Sequence, residues 1–222
     1  MKLASKLAVC AAAFTIIAAA PMAIAQSWEF GGGVGGGFYP SQTVSGSAGS
    51  ASANLATNIA GSAWVDNSGA GHWGGELRYD YQMGALQLSG AGTSASFDAY
   101  SQAFHYDILW YPSRNGSRIR PFLAAGAGVK IYKGTGAQLA YQPLNQVALL
   151  TQAQDLTPMA SLGGGVKIQL ASRVSLRIEL HDYLTPFPKQ VITPNAGEKV
   201  SGWGWMQDFV PMVGLSYTSA GR

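Results

Sequence analysis

Ionisable side chains occupy alternate positions in several stretches of this 222-residue chain. In residues 72–84, HWGGELRYDYQMG, three charged residues alternate with aromatic and apolar ones. Successive side chains of an extended strand point to opposite faces, so the charges would share one face of a strand. The complete set with this predicted placement is Glu76, Arg78, Asp80, His105, Asp107, Lys130, Lys167, Arg177, Glu179 and His181.

The charges in this set are balanced, with four Lys or Arg residues and four Asp or Glu residues. An enclosed charge costs several kcal/mol unless it is paired, so the balance predicts a network of ion pairs that fills an interior. The two histidines would be hydrogen-bonded within it. A water-filled conduit lined by the same groups is the alternative, because inward glycines at Gly126, Gly128, Gly163 and Gly165 leave room for either long side chains or water.

Nucleophilic catalysis would require a nucleophile, a base and an acid within hydrogen-bond reach. Ser175 and His181 share a face with an acid, but six residues separate them, roughly 20 Å along a strand. A serine on a neighbouring strand, Ser101 or Ser161, could approach His105, but no motif supports this pairing. The sequence therefore predicts no catalytic residue.

A metal site is also conceivable, because His105 and His181 accompany several carboxylates. The histidines and carboxylates show no close ligand spacing, and His72 lies at a turn. Residues 31–36, GGGVGG, match a dinucleotide-binding pattern, but no helix follows them, so they indicate strand packing instead. The sequence predicts neither a metal nor a cofactor.

Apolar residues recur with period two along eight segments, which is the pattern of strands. The segments are residues 27–39, 54–65, 72–84, 96–111, 120–133, 159–170, 173–183 and 208–217. The second, the weaker prediction, places Leu55 and Ile59 on one face. Segments of this length are long for a soluble sheet and suit tilted strands that cross a membrane.

The connections between the predicted strands alternate in length. Short turns, DNSGAG, PSRNGS and ASR, follow the second, fourth and sixth segments, and longer connections follow the others, including residues 134–158 and 184–207. Outer-membrane barrels have short periplasmic turns and longer external loops. We therefore predict an all-β protein with one domain, residues 26–222, folded as an eight-stranded antiparallel up-and-down transmembrane β-barrel. Its charged set would face the lumen and its apolar set the lipid.

Aromatic residues near the predicted strand ends support this orientation. Trp28, Trp73, Trp110 and Tyr217 are placed as an interfacial aromatic girdle requires. Trp205, together with Trp203, is better explained as a girdle residue than as a ligand cage.

The first 25 residues predict a cleaved secretory signal peptide. Lys2 and Lys6 precede the apolar stretch LAVCAAAFTIIAAA, and Ala23 and Ala25 frame an A-x-A site before Gln26. Cleavage would remove two lysines and the only cysteine and would leave 12 basic and 11 acidic residues. Such a balance gives no support to a nucleic-acid partner.

The chain resembles the small bacterial outer-membrane β-barrel proteins of the OmpA/OmpX type. The resemblance lies in the signal peptide and in three strand-like segments, WEFGGGVGGGFY, GGELRYDYQ and RPFLAAGAGVKIY. The resemblance covers residues 26–217 and implies an outer-membrane location, lipid contact and recognition by the barrel-assembly machinery. Barrels of that class commonly end on an aromatic residue; here five residues follow Tyr217.

We expect a non-enzymatic barrel with a polar, side-chain-filled lumen that serves membrane integrity or surface interaction. The alternatives are a narrow, porin-like diffusion channel and a soluble exported barrel that binds an apolar ligand. An extracellular partner could bind the loops at residues 134–158 and 184–207. In the first loop, Leu144, Val147, Leu149 and Leu150 have helix-like spacing, which predicts a short helix, a plug, or a loop that covers its own apolar residues.

Overall fold

A computed structural model describes residues 27–47, 49–68, 71–113, 116–137, 141–195, 197, 199–201 and 204–219. The predicted signal peptide, Trp203 and the last three residues lie outside this part of the chain. No helix within it is long and apolar enough to cross a membrane.

Strands account for nearly all regular structure in the described residues. They are β1 Ser27–Gly37, β2 Gln42–Gly46, β3 Gly49–Leu55, β4 Asn58–Ser68, β5 Trp73–Gly90, β6 Thr93–Trp110, β7 Ile119–Gly134, β8 Ala148–Leu150, β9 Gln154–Ala171, β10 Val174–Pro186, β11 Ile192–Pro194, β12 Lys199–Val200 and β13 Trp205–Thr218. Eight of them are long: β1, β4, β5, β6, β7, β9, β10 and β13.

The eight long strands close into a ring. Each is antiparallel to the next long strand in the sequence, and β1 pairs with β13 from Glu29↔Thr218 to Gly35↔Met212. Closure gives every long strand two neighbours, which satisfies its backbone groups without water. The predicted eight-stranded up-and-down barrel is confirmed.

The hairpin of β5 and β6 extends farther than the sequence pattern predicted. The connection expected between residues 84 and 96 is mostly strand, because β5 continues to Gly90 and β6 begins at Thr93. Only Ala91 and Gly92 form the turn, and both have positive φ, as a two-residue hairpin turn requires. The prediction of a long loop here was wrong because the outer part of this hairpin pairs with itself beyond the barrel wall.

The second predicted strand, residues 54–65, was misplaced. Leu55 belongs to β3 and is 3% exposed, whereas Ile59 belongs to β4 and is 66% exposed. The two residues therefore do not share a face. An irregular step at residues 56–57 separates the two strands, and β4 continues to Ser68.

The outer wall is apolar between two aromatic levels. Trp28, Trp73, Trp110 and Tyr217 are exposed at the end with short turns. Phe38, which follows the last residue of β1 and lies ten residues after Trp28, is also exposed. Ten residues of a strand tilted by about 40° span about 25 Å in height, the height of the apolar band of outer-membrane barrels.

The end with long connections is closed by an apolar cap, a cluster made by β2, β3, the outer parts of β5 and β6, and both long loops. In the first loop the chain makes a turn and the short strand β8, which pairs with β11 of the second loop. The short helix, one of the three interpretations of this loop, is absent from its described residues, and Leu144, Val147 and Leu150 are buried in the cap. Leu149 is 38% exposed, so the loop mostly covers its own apolar residues.

Candidate functional site

All ten residues of the charged set lie inside the barrel, and none is more than 5% exposed. Their strands alternate between inward polar and outward apolar side chains. On β5, for example, Glu76, Arg78 and Asp80 are buried while Leu77 and Tyr79 are 40% exposed. The period of two in the sequence therefore separates the lumen from the outer wall.

Two arginines organise the centre of the lumen. Arg78 Nη1 lies 3.1 Å from Glu76 Oε1, Arg78 Nε lies 3.1 Å from Asp80 Oδ1, and Nη2 pairs with Glu179. Arg177 pairs with Glu76, and its Nε lies 2.5 Å from Glu179 Oε2. Each arginine thus has two or more carboxylate partners, which offsets the cost of removing its charge from water.

Both central arginines also lie over the Trp64 indole. The centre of the ring is 5.1 Å from Arg78 Cζ and 4.8 Å from Arg177 Cζ. Its Nε1 donates to Ser216 Oγ at 3.2 Å. The buried indole therefore fills this level of the lumen. Its face contacts two guanidinium groups, and its N–H group is hydrogen-bonded.

The histidines lie beside the arginines. His105 Nδ1 is 3.0 Å from Asp107 Oδ1, and His105 Nε2 is 3.0 Å from Asp80 Oδ2. An imidazolium, with a proton on each nitrogen, donates to both carboxylates. His181 lies 3.4 Å from an Arg78 nitrogen and 3.5 Å from Glu179.

Lys130 and Lys167 belong to separate ion clusters above and below this centre. Near the cap, Lys130 pairs with Asp208, which also accepts from Gln82 at 2.7 Å. Near the short turns, Lys167 pairs with Asp66 and lies 3.0 Å from Glu29. The charged lumen therefore consists of three clusters stacked along the barrel axis.

Sequence reasoning missed three carboxylates of these clusters: Glu29, Asp66 and Asp208. Glu29 could have been found, because it alternates with the outward residues Trp28 and Phe30. Asp208 occupies the first position of a predicted strand, where the alternation of side chains is hardest to assign to the inner or the outer face. Asp66 follows the predicted end of a strand that continues to Ser68.

Inward glycines make room for these side chains. A Cβ at Gly163 would lie 2.7 Å from the His181 ring, and one at Gly128 would lie 2.4 Å from His105 Cβ. In the GGGVGG stretch, a Cβ at Gly31 would lie 2.3 Å from the Trp64 indole. The space beside these glycines is therefore occupied by side chains.

One buried group has the residue types of a catalytic triad. Ser161 Oγ lies 3.5 Å from His181 Nδ1, and His181 Nε2 lies 3.5 Å from Glu179 Oε2. The sequence suggested Ser161 beside His105, whereas it lies beside His181 and donates to Asp107 at 3.3 Å. These side chains are enclosed by the wall and by the neighbouring clusters, so a substrate has no access to the serine.

Other cavities and clusters add little chemistry. No group of three or more His, Cys, Asp or Glu side chains in the described residues could hold a metal ion. At the short-turn end, Arg120, Lys167 and Glu29 line a pocket of about 40 Å³, which is room for about one water molecule.

No family model matches the chain, and no curated protein matches it by sequence. Solved structures match its fold. OprG from Pseudomonas aeruginosa has a TM-score of 0.55 at 14% identity and covers 87% of this chain and 96% of its own. Neisserial surface protein A has 0.51 at 12%, with 85% and 96% covered. The outer membrane protein AlkL, solved in lipid bilayers, has 0.51 at 10%, with 91% and 97% covered.

These likenesses extend over nearly the whole of each matched chain, and they agree with the closed ring of long strands described above. The chain therefore has the fold of the small outer-membrane β-barrel proteins, the class that its sequence resembles.

Proposed function

We propose that this protein is a non-enzymatic β-barrel of the bacterial outer membrane whose lumen is closed, and that it serves membrane integrity or surface interaction. One observation carries the proposal: three ion clusters and an apolar cap occupy the barrel in series. Arg78, Arg177 and Lys130 are each at most 1% exposed, as expected of a lumen filled by side chains.

The outer wall supports the location in a membrane. Its exposed residues between the aromatic levels include Phe30, Val34, Phe104, Ile178 and Leu215, each more than 40% exposed. A wall of this kind is stable in hydrocarbon and would aggregate in water. One of the two alternatives, a soluble barrel with an apolar interior, requires the opposite orientation of every strand face.

A narrow diffusion channel is the less favoured alternative. Water and solutes would have to pass the Arg78–Glu179 pair and the Trp64 indole, and then the cap. An enzymatic role is disfavoured too, because Ser161, which lies beside a histidine and an acid, is 1% exposed.

Surface interaction would use the outer side of the cap. The two long connections, between β7 and β9 and between β10 and β13, are shorter than the predicted residues 134–158 and 184–207, because β9 begins at Gln154 and β10 ends at Pro186. They contribute exposed side chains such as Tyr141, which is 70% exposed. We propose this surface as the place where an extracellular partner binds. The barrel-assembly machinery is the partner that the fold requires during biogenesis.

Conductance in planar bilayers tests the closed lumen. We expect the reconstituted wild-type barrel to be electrically silent, because ions would have to displace paired charges from a dry interior. Lys130→Gln is the companion variant, since it alters one charge on the lumen axis. Discrete conductance steps in the wild type, with ion selectivity that changes in Lys130→Gln, would favour the channel instead.

A further inference from the structure

The seam at which β1 and β13 close the ring is interrupted on the side of the long loops. The regular ladder of this seam is the shortest of the eight in the ring, and it ends at Gly35↔Met212. Farther toward the long loops the chain pairs again at Phe38 and Phe209, whose backbone groups exchange hydrogen bonds of 2.9 and 3.0 Å. Two positions of each strand lie between these paired stretches.

A proline causes the interruption. The register of the ladder places Pro211 opposite Gly36. In an antiparallel pair, residues that exchange hydrogen bonds with the partner strand alternate with residues that do not. Because Phe209 bonds to the β1 side, Pro211, two residues farther on, also faces β1, and its nitrogen has no hydrogen to donate. The Gly36 carbonyl therefore lacks the ladder bond that another residue would supply.

Prolines in the other wall strands lie where a ladder has already ended. Pro121 of β7 lies beyond the last β6–β7 pair, and Pro158 of β9 and Pro186 of β10 lie beyond the last β9–β10 pair. Proline is normally confined to such edges, since inside a sheet it removes a ladder bond. Among the described wall strands, Pro211 alone separates two paired stretches of one seam.

Thin structure separates the lumen from the outer surface at this position. A Cβ at Gly36, which faces outward, would lie 3.3 Å from the Phe38 ring, so this ring covers the outer side of the glycine. On the lumen side, a Cβ at Gly37 would lie 2.6 Å from Gln82 Oε1 and 3.3 Å from Asp208 Oδ1. Backbone and one aromatic ring therefore stand between the outer surface and the Lys130–Asp208 cluster.

The composition of β1 adds to the weakness of the seam. Six of the 11 residues of β1 are glycine, in the sequence SWEFGGGVGGG. Glycine in a strand loses more backbone freedom on pairing than any other residue and supplies no side chain to pack against its neighbours.

We propose that the ring opens locally between Gly36 and Pro211, and that the Phe38–Phe209 pair holds this part of the seam closed. Opening requires that the two Phe38–Phe209 hydrogen bonds break and that the Phe38 ring moves aside. The ladders of β1 with β4 and of β13 with β10 stay paired. Water from the side of the long loops then reaches the Lys130–Asp208 cluster without displacing the apolar cap.

Hydrogen exchange at single amides, followed by NMR on the folded barrel in detergent, tests the proposal. We expect the Gly36 and Phe38 amides to exchange about tenfold faster than the Val34 amide, because local opening exposes them while the regular ladder stays paired. Equal protection of Gly36 and Val34 in the wild type would overturn the proposal.

Pro211→Val supplies the missing N–H group on an outward position. We expect it to slow exchange at Gly36 and Phe38 about fivefold, as one added backbone hydrogen bond predicts. Pro121→Val is the matched control and should leave both rates unchanged, because its nitrogen lies beyond the last β6–β7 pair. Pro211→Ala restores the same N–H group and replaces Pro211→Val if that variant shows no heat-dependent gel shift. Unchanged exchange at Gly36 in a folded variant would contradict the role of the proline.

Phe38→Ala tests the covering ring. Removal of the ring should speed exchange at Gly36, whereas Phe30→Ala should not, although Phe30 lies on the same face of β1 and is nearly equally exposed, at 49% against 46%. Equal effects of the two variants on Gly36 would show that Phe38 does not hold the seam closed.

Discussion

At the scale of single residues, the lumen is organised by Arg78, which contacts carboxylates from two strands on opposite sides of the barrel. Glu76 and Asp80 flank it on β5, and Glu179 reaches it from β10. Because Arg78 pairs with all three, none of these carboxylates is an unpaired charge in the interior of the barrel. The arginine therefore links two walls that are distant in the sequence.

Replacing Arg78 by alanine should lower the free energy of unfolding by about 3–5 kcal/mol, because it leaves buried carboxylates without their partner. Urea unfolding in detergent or vesicles measures the loss. Arg173→Ala is the control: this exposed arginine donates to Tyr217 Oη at 3.2 Å, and its removal should cost less than about 1 kcal/mol. An unchanged midpoint for Arg78→Ala would mean that water reaches the cluster.

Gly163 gives a second prediction at this scale. A Cβ there would lie 2.7 Å from His181 Nδ1, so Gly163→Ala should destabilise the barrel by about 1–3 kcal/mol through overpacking. Gly61→Ala is the matched control, since a Cβ at Gly61 meets no atom within 4 Å. The same unfolding assay compares the two, and equal stabilities would show that His181 can move aside.

At the scale of elements, the barrel wall and the cap are built differently. Wall strands pair on both sides and alternate polar with apolar residues, whereas the cap joins short strands and loops through apolar contacts. Phe187, Val191 and Ile192 from one loop bury against Leu144, Val147 and Leu150 from the other. The cap is therefore expected to open locally without unfolding the wall.

Ile192→Ala should loosen the cap, because it removes a fully buried side chain at a cost of about 2–5 kcal/mol. We expect faster protease cleavage within residues 134–158 and 184–207 while the barrel stays folded. Leu149→Ala, at a half-exposed position of the paired strand β8, should leave the cleavage rate close to that of the wild type. Cleavage that is equally slow in both variants would contradict an apolar cap held by Ile192.

At the scale of the whole molecule, stability comes from closure. The β1–β13 pairing leaves the ring of long strands without a free edge, so no single strand can leave without breaking two ladders. The ion clusters then link opposite walls across the lumen. Together these features predict a barrel that resists detergent until it is heated.

The mature chain should migrate differently on a denaturing gel before and after boiling, because the closed barrel stays compact in cold detergent. Boiled samples should run at the position expected for the unfolded chain. The control is the same sample unfolded in urea before loading without heat. Identical migration of heated and unheated protein would argue strongly against a stable closed barrel.

The sequence by itself determined the strand period and, in all but the second predicted strand, the face on which the side chains lie. The alternation around Glu76, Arg78 and Asp80 is local, so it could be read without knowing any partner strand. The separation of short turns from long connections was also local, but it failed after β5, where the connection is a two-residue turn. These local patterns were sufficient to predict the eight-stranded barrel and to place all ten charged residues on one face.

Only the tertiary structure decided which charges meet. Arg78 and Glu179 are 101 positions apart, and their contact depends on the stagger between strands, which no local pattern records. Strand ends beyond the barrel wall escaped prediction for a related reason: β5 and β6 extend there because they pair with each other. The hydrogen bond from Gln207 to Asp182 likewise required the register of β10 against β13, because the two residues are 25 positions apart in the sequence.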